Sequence, residues 1–431
     1  MNFVFEEVST HRNFIENWET NGIGSYRFTV SPLFNRMNIL RFAIKYFDSN
    51  INIFDIKDRP KTYVIAIGVN NDPHWWAGGE FSSNPNVVSF FEFLNEIYLN
   101  DLIKGGAYLL IDSSFEGYHS DWVFNFFHQE CEKRNIPANK IIFVTGNSIV
   151  EQRYEDWLLL NPKEVKMNPL PYSHFENDVF LTSKQMLQNN DLPTFEQQLF
   201  YKESNVDNIK LYNNLNKKPR EHRIWFYSRL FYNNLLEKGL VSMNQIHISQ
   251  RLYCGEFMEH EYVENFAKTL PSLIYGISNE IEDTGFYINR INHQVCDDTW
   301  ISVISEARFE DEEGTVFLSE KVFKPIASHH PFIVMGNKHS LRELKKLGYK
   351  TFSNWIDESY DELNNLDRMD AIIKVLKDID KIENKLEWFK SMEEVLKFNY
   401  EVLKRNVTKK YPYAFDKVVK ICPDTDTKQL I

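Results

Sequence analysis

Short, continuously apolar runs alternate with stretches of helical period, and this restricts the fold more than any other feature of the chain. Residues 63–68 (YVIAIG), 108–112 (YLLID) and 140–145 (KIIFVT) are each too short for a helix and each is closed by turn-forming residues. Between them, residues 90–103 and 119–134 read as helices, the second with apolar positions at Val123, Phe124, Phe127 and Cys131. Asn135 and Pro137 break that helix. A strand that is apolar at every position must be covered on both faces, and strand-helix-strand alternation at this spacing means a parallel sheet. Residues 165–169 extend the pattern.

The second half repeats the theme after a polar interval. Residues 189–218 are rich in Asn and read as a linker or crossover, with a domain boundary near 210. Beyond it come an amphipathic helix over 221–236 and strands over 246–249 and 300–304. In residues 317–337, Ser319 is placed to cap a helix with Glu320 in its first turn, where a carboxylate suits the positive end. Val322, Phe323 and Ile326 form its apolar stripe, and residues 332–335 (FIVM) make a buried strand ending at Gly336 and Asn337. Ser340 is placed to cap a short helix that stops at Gly348, residues 351–352 start another strand, and residues 359–405 are mostly helical by period. The 431 residues exceed one ordinary core. The expected architecture is α/β: two Rossmann-like domains facing across a cleft, an N-terminal acceptor-side domain over 1–210 and a nucleotide-binding domain over 211–400. A helical tail follows over 401–431.

A formal net charge of −12 argues against a general nucleic-acid binder, which needs a basic stripe to displace counterions. Cys131, Cys254, Cys296 and Cys422 are scattered, with neither disulfide-framework nor zinc spacing, and suit a reducing cytosol. The acidic N-terminus lacks a signal-peptide pattern and no run of 18 apolar residues occurs, so no membrane association is expected. GxGxxG, the phosphate-binding P-loop and the GxSxG elbow are all absent, against a dinucleotide dehydrogenase, a P-loop ATPase and a serine hydrolase. Aromatic content of 15% could line a carbohydrate site or simply fill cores. The loop at 74–80, with Trp75 and Trp76, follows a strand end, where α/β sheets bind ligands, and reads equally as a packed turn.

By residue chemistry alone, Glu320 and Lys321 are either solvated groups on a surface helix or parts of a phosphate site. In the latter, backbone N–H groups and Lys321 meet the phosphates while Glu320 accepts from ribose hydroxyls. The segment SEKVFKPI (319–326) followed by HPFIVMG (330–336) resembles the donor site of GT-B glycosyltransferases, nearest to the α1,3/4-fucosyltransferase-like group. Arg223, Phe226 and Leu230 keep that group's spacing, and Ser305-Glu306-Ala307 matches loosely its acidic position before the Glu-Lys pair. Similar segments occur in glycosyltransferase-like proteins of large DNA phages. The resemblance covers roughly residues 217–350.

It implies an inverting, metal-independent transferase that moves a sugar from a nucleotide diphosphate sugar, a GDP-sugar by preference, to a glycan or other hydroxyl acceptor. No further cofactor is implied, and the setting is the cytosol of a bacterium or a virus-infected host. The departing diphosphate needs fixed cations. Arg223 and Lys321 are the expected pair, both exposed, with Arg220 and Lys324 behind them. The resemblance assigns Glu320 to ribose and Glu306 to donor binding. The acceptor hydroxyl needs a base. Glu116 is the first candidate, with Asp112 and His119 behind it, and these groups could equally cap the helix that follows. Asp378-Ile-Asp380 and Asp424-Thr-Asp426 have the letters of a GT-A metal site but not its position after a strand, and His329-His330 lacks a third ligand, so no metal is expected. The alternative is a non-catalytic binding or structural protein on a degenerate transferase fold.

Overall fold

Six of the expected strands, with four others, pair into two parallel sheets in a computed structural model. The structure describes residues 2–5, 52–68, 77, 80, 89–114, 117, 121–176, 179, 194–216, 220–242, 293–309, 314–408 and 413–422. The chain divides into a first unit (1–174, 312–317 and 408–431) and a second (175–311 and 318–407). The division thus falls at 174, ahead of the boundary near 210, and residues 408–431 gather with the first unit instead of standing apart as a tail.

In the first unit β1 (Asn2–Phe5), β2 (Asn52–Asp55), β3 (Tyr63–Gly68), β4 (Ala107–Ser113), β5 (Ile141–Thr145) and β6 (Asn168–Pro171) lie in the order β2-β1-β3-β4-β5-β6. Helices α1 (Glu96–Ile103), α2 (Asp121–Arg134) and α3 (Val150–Leu160) are the crossovers. Residues 90–93 form a 3-10 turn ahead of α1 in place of one continuous helix. Ile65, Leu109, Ile111 and Phe143 on one sheet face join Phe124, Phe127, Tyr154 and Trp157 of the helices in one core. Each such side chain contributes about 1.5–3 kcal/mol on burial. Val64, Leu110 and Ile142, on the other face, are buried too, as the unbroken apolar runs require.

The second unit contains α4 (Phe195–Ser204), β7 (Lys210–Leu215), α5 (Glu221–Tyr232), β8 (Gly239–Ser242), α6 (His293–Asp297), β9 (Thr299–Ser305), α7 (Glu320–Ala327), β10 (Phe332–Met335), α8 (Ser340–Lys346), α9 (Asn365–Asp380), α10 (Lys385–Lys390) and α11 (Glu393–Thr408). A final helix, α12 (Tyr413–Ile421), returns to the first unit. The strands run β10-β9-β7-β8, all parallel.

The Asn-rich interval is the clearest departure from the sequence reading. Thr194 and Gln197 form a reciprocal capping box that starts α4, and KLYNNL is the inner strand β7. Asn213 donates to Thr299 Oγ1 (2.8 Å) and Ser302 Oγ (2.9 Å), and Asn214 donates to the Val303 carbonyl (2.8 Å) and Ser305 Oγ (2.9 Å). Both amides are satisfied across the ladder to β9, so residues that usually signal turns sit in a buried strand. Residues 351–352 form no strand. The expected strand at 246–249 and the Trp75–Trp76 pair lie outside the described residues.

Candidate functional site

In an open parallel sheet, ligands bind beyond the carboxyl ends of the strands where the winding order reverses. In the first unit the reversal lies between β1 and β3, and the residues after each are outside the described ones. In the second it lies between β7 and β9, whose ends are described. Asn216 follows β7, then Arg220 leads into α5, and Glu306 follows β9. α7 begins beside this edge, because its N-cap Ser319 bonds to Glu306.

Glu306 is the junction. Its Oε1 accepts from Ser319 N–H at 3.0 Å, and its Oε2 accepts from the Ser319 hydroxyl and from Ala307 N–H at 3.1 Å. Its carbonyl accepts from His222 Nε2 at 3.0 Å and from an Arg223 guanidinium nitrogen at 3.2 Å. Its own N–H donates to Met335 O, which continues the β9–β10 ladder by one residue. The side chain passes over Gly336, where a Cβ would come within 3.1 Å of Glu306 Cγ. The residue is wholly buried, and burial pushes its carboxyl above the ordinary range, with Lys321 and Ser319 opposing in part.

Lys321 Nζ donates to Ser319 Oγ at 3.1 Å and to Glu320 Oε1 at 2.7 Å. Burial works against the charged form of Glu320, yet Lys321 and then Lys324 beside it hold its carboxyl below the usual value. Burial lowers Lys324 to about 8, against the pull of Glu320. Arg220 is exposed, with its guanidinium on the carbonyl of Ala307.

Arg223 departs from the expectation of an exposed group. It is buried at 4%, donates to the carbonyls of Ser305 (3.3 Å) and Glu306 (3.2 Å), and is lowered to about 10 by burial and then by Arg220. The helical position that keeps it in step with Phe226 and Leu230 faces the sheet, and all three are buried. The guanidinium therefore lies beneath the strand end, while Lys321 and Arg220 form its accessible edge. Residues 223 and 321 are connected through Glu306, the first at its carbonyl and the second by way of the Ser319 hydroxyl. Of the six expected donor-site residues, four are basic and two acidic, and all belong to this corner of the second unit.

Sequence reasoning passed over three contributors. His222 is stacked on Phe309 (centroids 5.5 Å apart, planes 14° apart), and burial followed by Arg223 drops it to about 3. The guanidinium of Arg368 also stands over Phe309, 5.0 Å from the ring centroid, and donates to Gly336 O at 2.6 Å. Asn216, also buried, donates to Asn214 Oδ1 at 2.7 Å. Arg368 arrives from α9, more than 50 residues beyond Phe309 (|i−j| 59), so no local pattern announced it.

The first-unit candidates fare differently. Glu116 and His119 lie outside the described residues. Asp112 is 1% exposed and curls into its own turn, accepting from Ser114 N–H (3.0 Å) and Ser114 Oγ (2.6 Å). Its carboxylate thus does the work of an Asx turn at the end of β4, which does not suit an acceptor base. Asp121, the first residue of α2, pairs with Arg153 at 2.9 Å. Asp378 pairs with Lys381 and Asp380 with Lys238 on α9, as solvated helix acids do. His330 is fully buried and His329 stacks on Tyr400. Among the described residues, His339, Asp361 and Glu362 bring ligand atoms within 4.8 Å of one another, but Asp361 already accepts from the N–H groups of Leu341 and Arg342. No described helix is long and apolar enough to cross a membrane. The chain matches no family model and no curated protein sequence.

Proposed function

We propose that the chain is a nucleotide-sugar-dependent glycosyltransferase of the GT-B type, inverting and metal-independent, with its donor subsite at the β7–β9 edge of the second unit. The observation that carries this reading is the meeting of Arg220, Arg223, Lys321 and Lys324 at the point where the sheet reverses its winding, beside the N-terminus of α7.

In such a transfer the acceptor oxygen attacks the anomeric carbon from the face opposite the diphosphate. The C–O bond to the diphosphate breaks, and its electrons leave with the phosphate oxygen. Arg220 and Lys321 receive that growing charge at the accessible edge, and Arg223 adds a partly desolvated positive charge from below. Glu320, kept ionised by Lys321 and Lys324, is suited to accept from ribose hydroxyls. A GDP-sugar is the first donor to try, and the acceptor is a glycan or another hydroxyl compound. A base must take its proton, and Glu116 and then His119 are the candidates the sequence offers.

A second reading, a non-catalytic binding protein on the same fold, is favoured by one observation: Asp112, the one candidate base among the described residues, is engaged in its own turn. Thermal-shift screening against UDP-, GDP-, CMP- and dTDP-sugars, followed by product analysis, separates the two. Stabilisation by a nucleotide sugar with sugar release or transfer supports the enzyme. Binding without turnover supports the second reading, and the absence of any binding removes both.

A further inference from the structure

We infer that Glu306 is a positioning residue that never touches the donor, and that it sets the Lys321 ammonium through the Ser319 hydroxyl. The inference rests on the donor-site reading above and departs from the assignment of Glu306 to donor binding. Three donors already fill its carboxylate: Ser319 N–H, Ser319 O–H and Ala307 N–H. The Ser319 hydroxyl is filled in turn, giving its proton to Glu306 and accepting from Lys321 N–H (3.4 Å) and Lys321 Nζ (3.1 Å). A single line of contacts therefore runs from the end of β9 through the α7 cap to the ammonium.

Glu306 also joins the other elements of this edge. Its carbonyl holds His222 and Arg223 from the first turn of α5, its N–H holds the end of β10, and its methylenes rest over Gly336. With no exposed surface, the carboxylate could reach a sugar hydroxyl only by giving up Ser319. An unpaired Ser319 N–H at the buried start of a helix is costly, which holds the present arrangement in place.

Charge and position make opposite forecasts for Glu306→Gln. Removing an anion close to Lys321 and Arg223 should tighten an anionic ligand. Loss of the acceptor for Ser319 O–H should loosen it, because the cap and the ammonium lose their anchor. A direct donor contact would weaken only ligands that carry hydroxyls. Calorimetric titration of the wild type, Glu306→Gln, Ser319→Ala, Ser319→Thr and the Glu306→Gln/Ser319→Ala double variant with GDP and with inorganic pyrophosphate distinguishes these. We expect Glu306→Gln and Ser319→Ala each to weaken both ligands alike, by about tenfold, with the double variant no worse than either. Ser319→Thr, which keeps the hydroxyl, should restore affinity. Weakened GDP binding with unchanged or tighter pyrophosphate binding in Glu306→Gln would overturn the inference.

Amide hydrogen exchange over residues 319–322 supplies a readout that needs no ligand. Faster exchange there in Glu306→Gln and Ser319→Ala, but not in Ser319→Thr, is expected, and unchanged exchange refutes the role. If the wild type binds neither probe, the donor-site reading fails while exchange still decides the positioning. Should Glu306→Gln not fold, the Ser319→Ala and Ser319→Thr pair decides.

Discussion

The guanidinium of Arg223 donates to the main-chain carbonyl of Glu306 at 3.2 Å, tying the first turn of α5 to the end of β9. A side chain that holds two strand-end carbonyls and is 4% exposed contributes to stability as well as charge. Arg223→Ala is therefore expected to lower unfolding stability by about 1–3 kcal/mol, since buried acceptors lose their donor. Lys321→Ala, which takes one partner from the buried Glu320 while Lys324 remains, should cost about 1 kcal/mol while weakening GDP binding. Urea unfolding and calorimetry on the two single variants check this split.

Lys202 is fully buried in the second unit, and its ammonium reaches three carbonyls, those of Cys296 (2.7 Å), Asp297 (2.9 Å) and Thr299 (2.5 Å). It closes the end of α6 and the start of β9 together. Trp300 and Phe389 present their rings to it at 5.4 and 5.0 Å. Lys202→Met keeps most of the volume but leaves all three acceptors without this donor. We expect a loss of about 1–3 kcal/mol, because buried carbonyls lose their donor. Chemical denaturation measures it.

Acid should destabilise the protein through its buried imidazoles. Burial lowers His128 to about 4, His222 to about 3 and His329 to about 4, from an ordinary value near 6.5. Between those values the unfolded chain binds protons that the native state refuses, so stability rises with pH across the window and is lost as pH falls below 6.5. Urea midpoints should fall progressively from pH 7 to pH 4. His222→Gln should flatten the slope, and an unchanged slope in that variant would show that His222 titrates normally.

Gly146 follows β5, where a Cβ would stand 2.6 Å from the Phe317 ring and 2.8 Å from the Ser114 carbonyl. The second neighbour is backbone and cannot turn aside. Phe317 ends a segment held to this strand end by Ser148 N–H on Val316 O (2.9 Å) and Asn147 Nδ2 on Gly314 O (2.7 Å). Gly146→Ala should cost about 1–3 kcal/mol by overpacking and expose bonds near 317 to limited proteolysis. A wild-type melting temperature and cleavage pattern would show that the space can adjust.

Much of the scaffold was readable before any coordinates. Largely apolar runs predicted β3, β4, β5 and β10, because a strand covered on both faces favours apolar residues at successive positions, and residues 300–304, with Ser302 among them, predicted β9. β7 escaped that logic. Its Asn213 and Asn214 look like turn residues until β9 supplies the hydroxyls and carbonyl that satisfy them. The Thr194–Gln197 capping box of α4 was legible and was passed over within a polar interval.

At the candidate site the sequence by itself determined the Ser319 cap, the Glu320-Lys321 pair and the strand after them, since caps, first-turn charges and apolar runs act over a few neighbouring residues. Tertiary structure alone decided that Arg223 lies beneath the edge, that Arg368 and His222 both pack on Phe309, and that Glu306 is consumed by Ser319. Each of these is a contact between distant stretches of chain. Its sign, buried partner or exposed ligand contact, depends on which strand ends the winding of the sheet brings side by side.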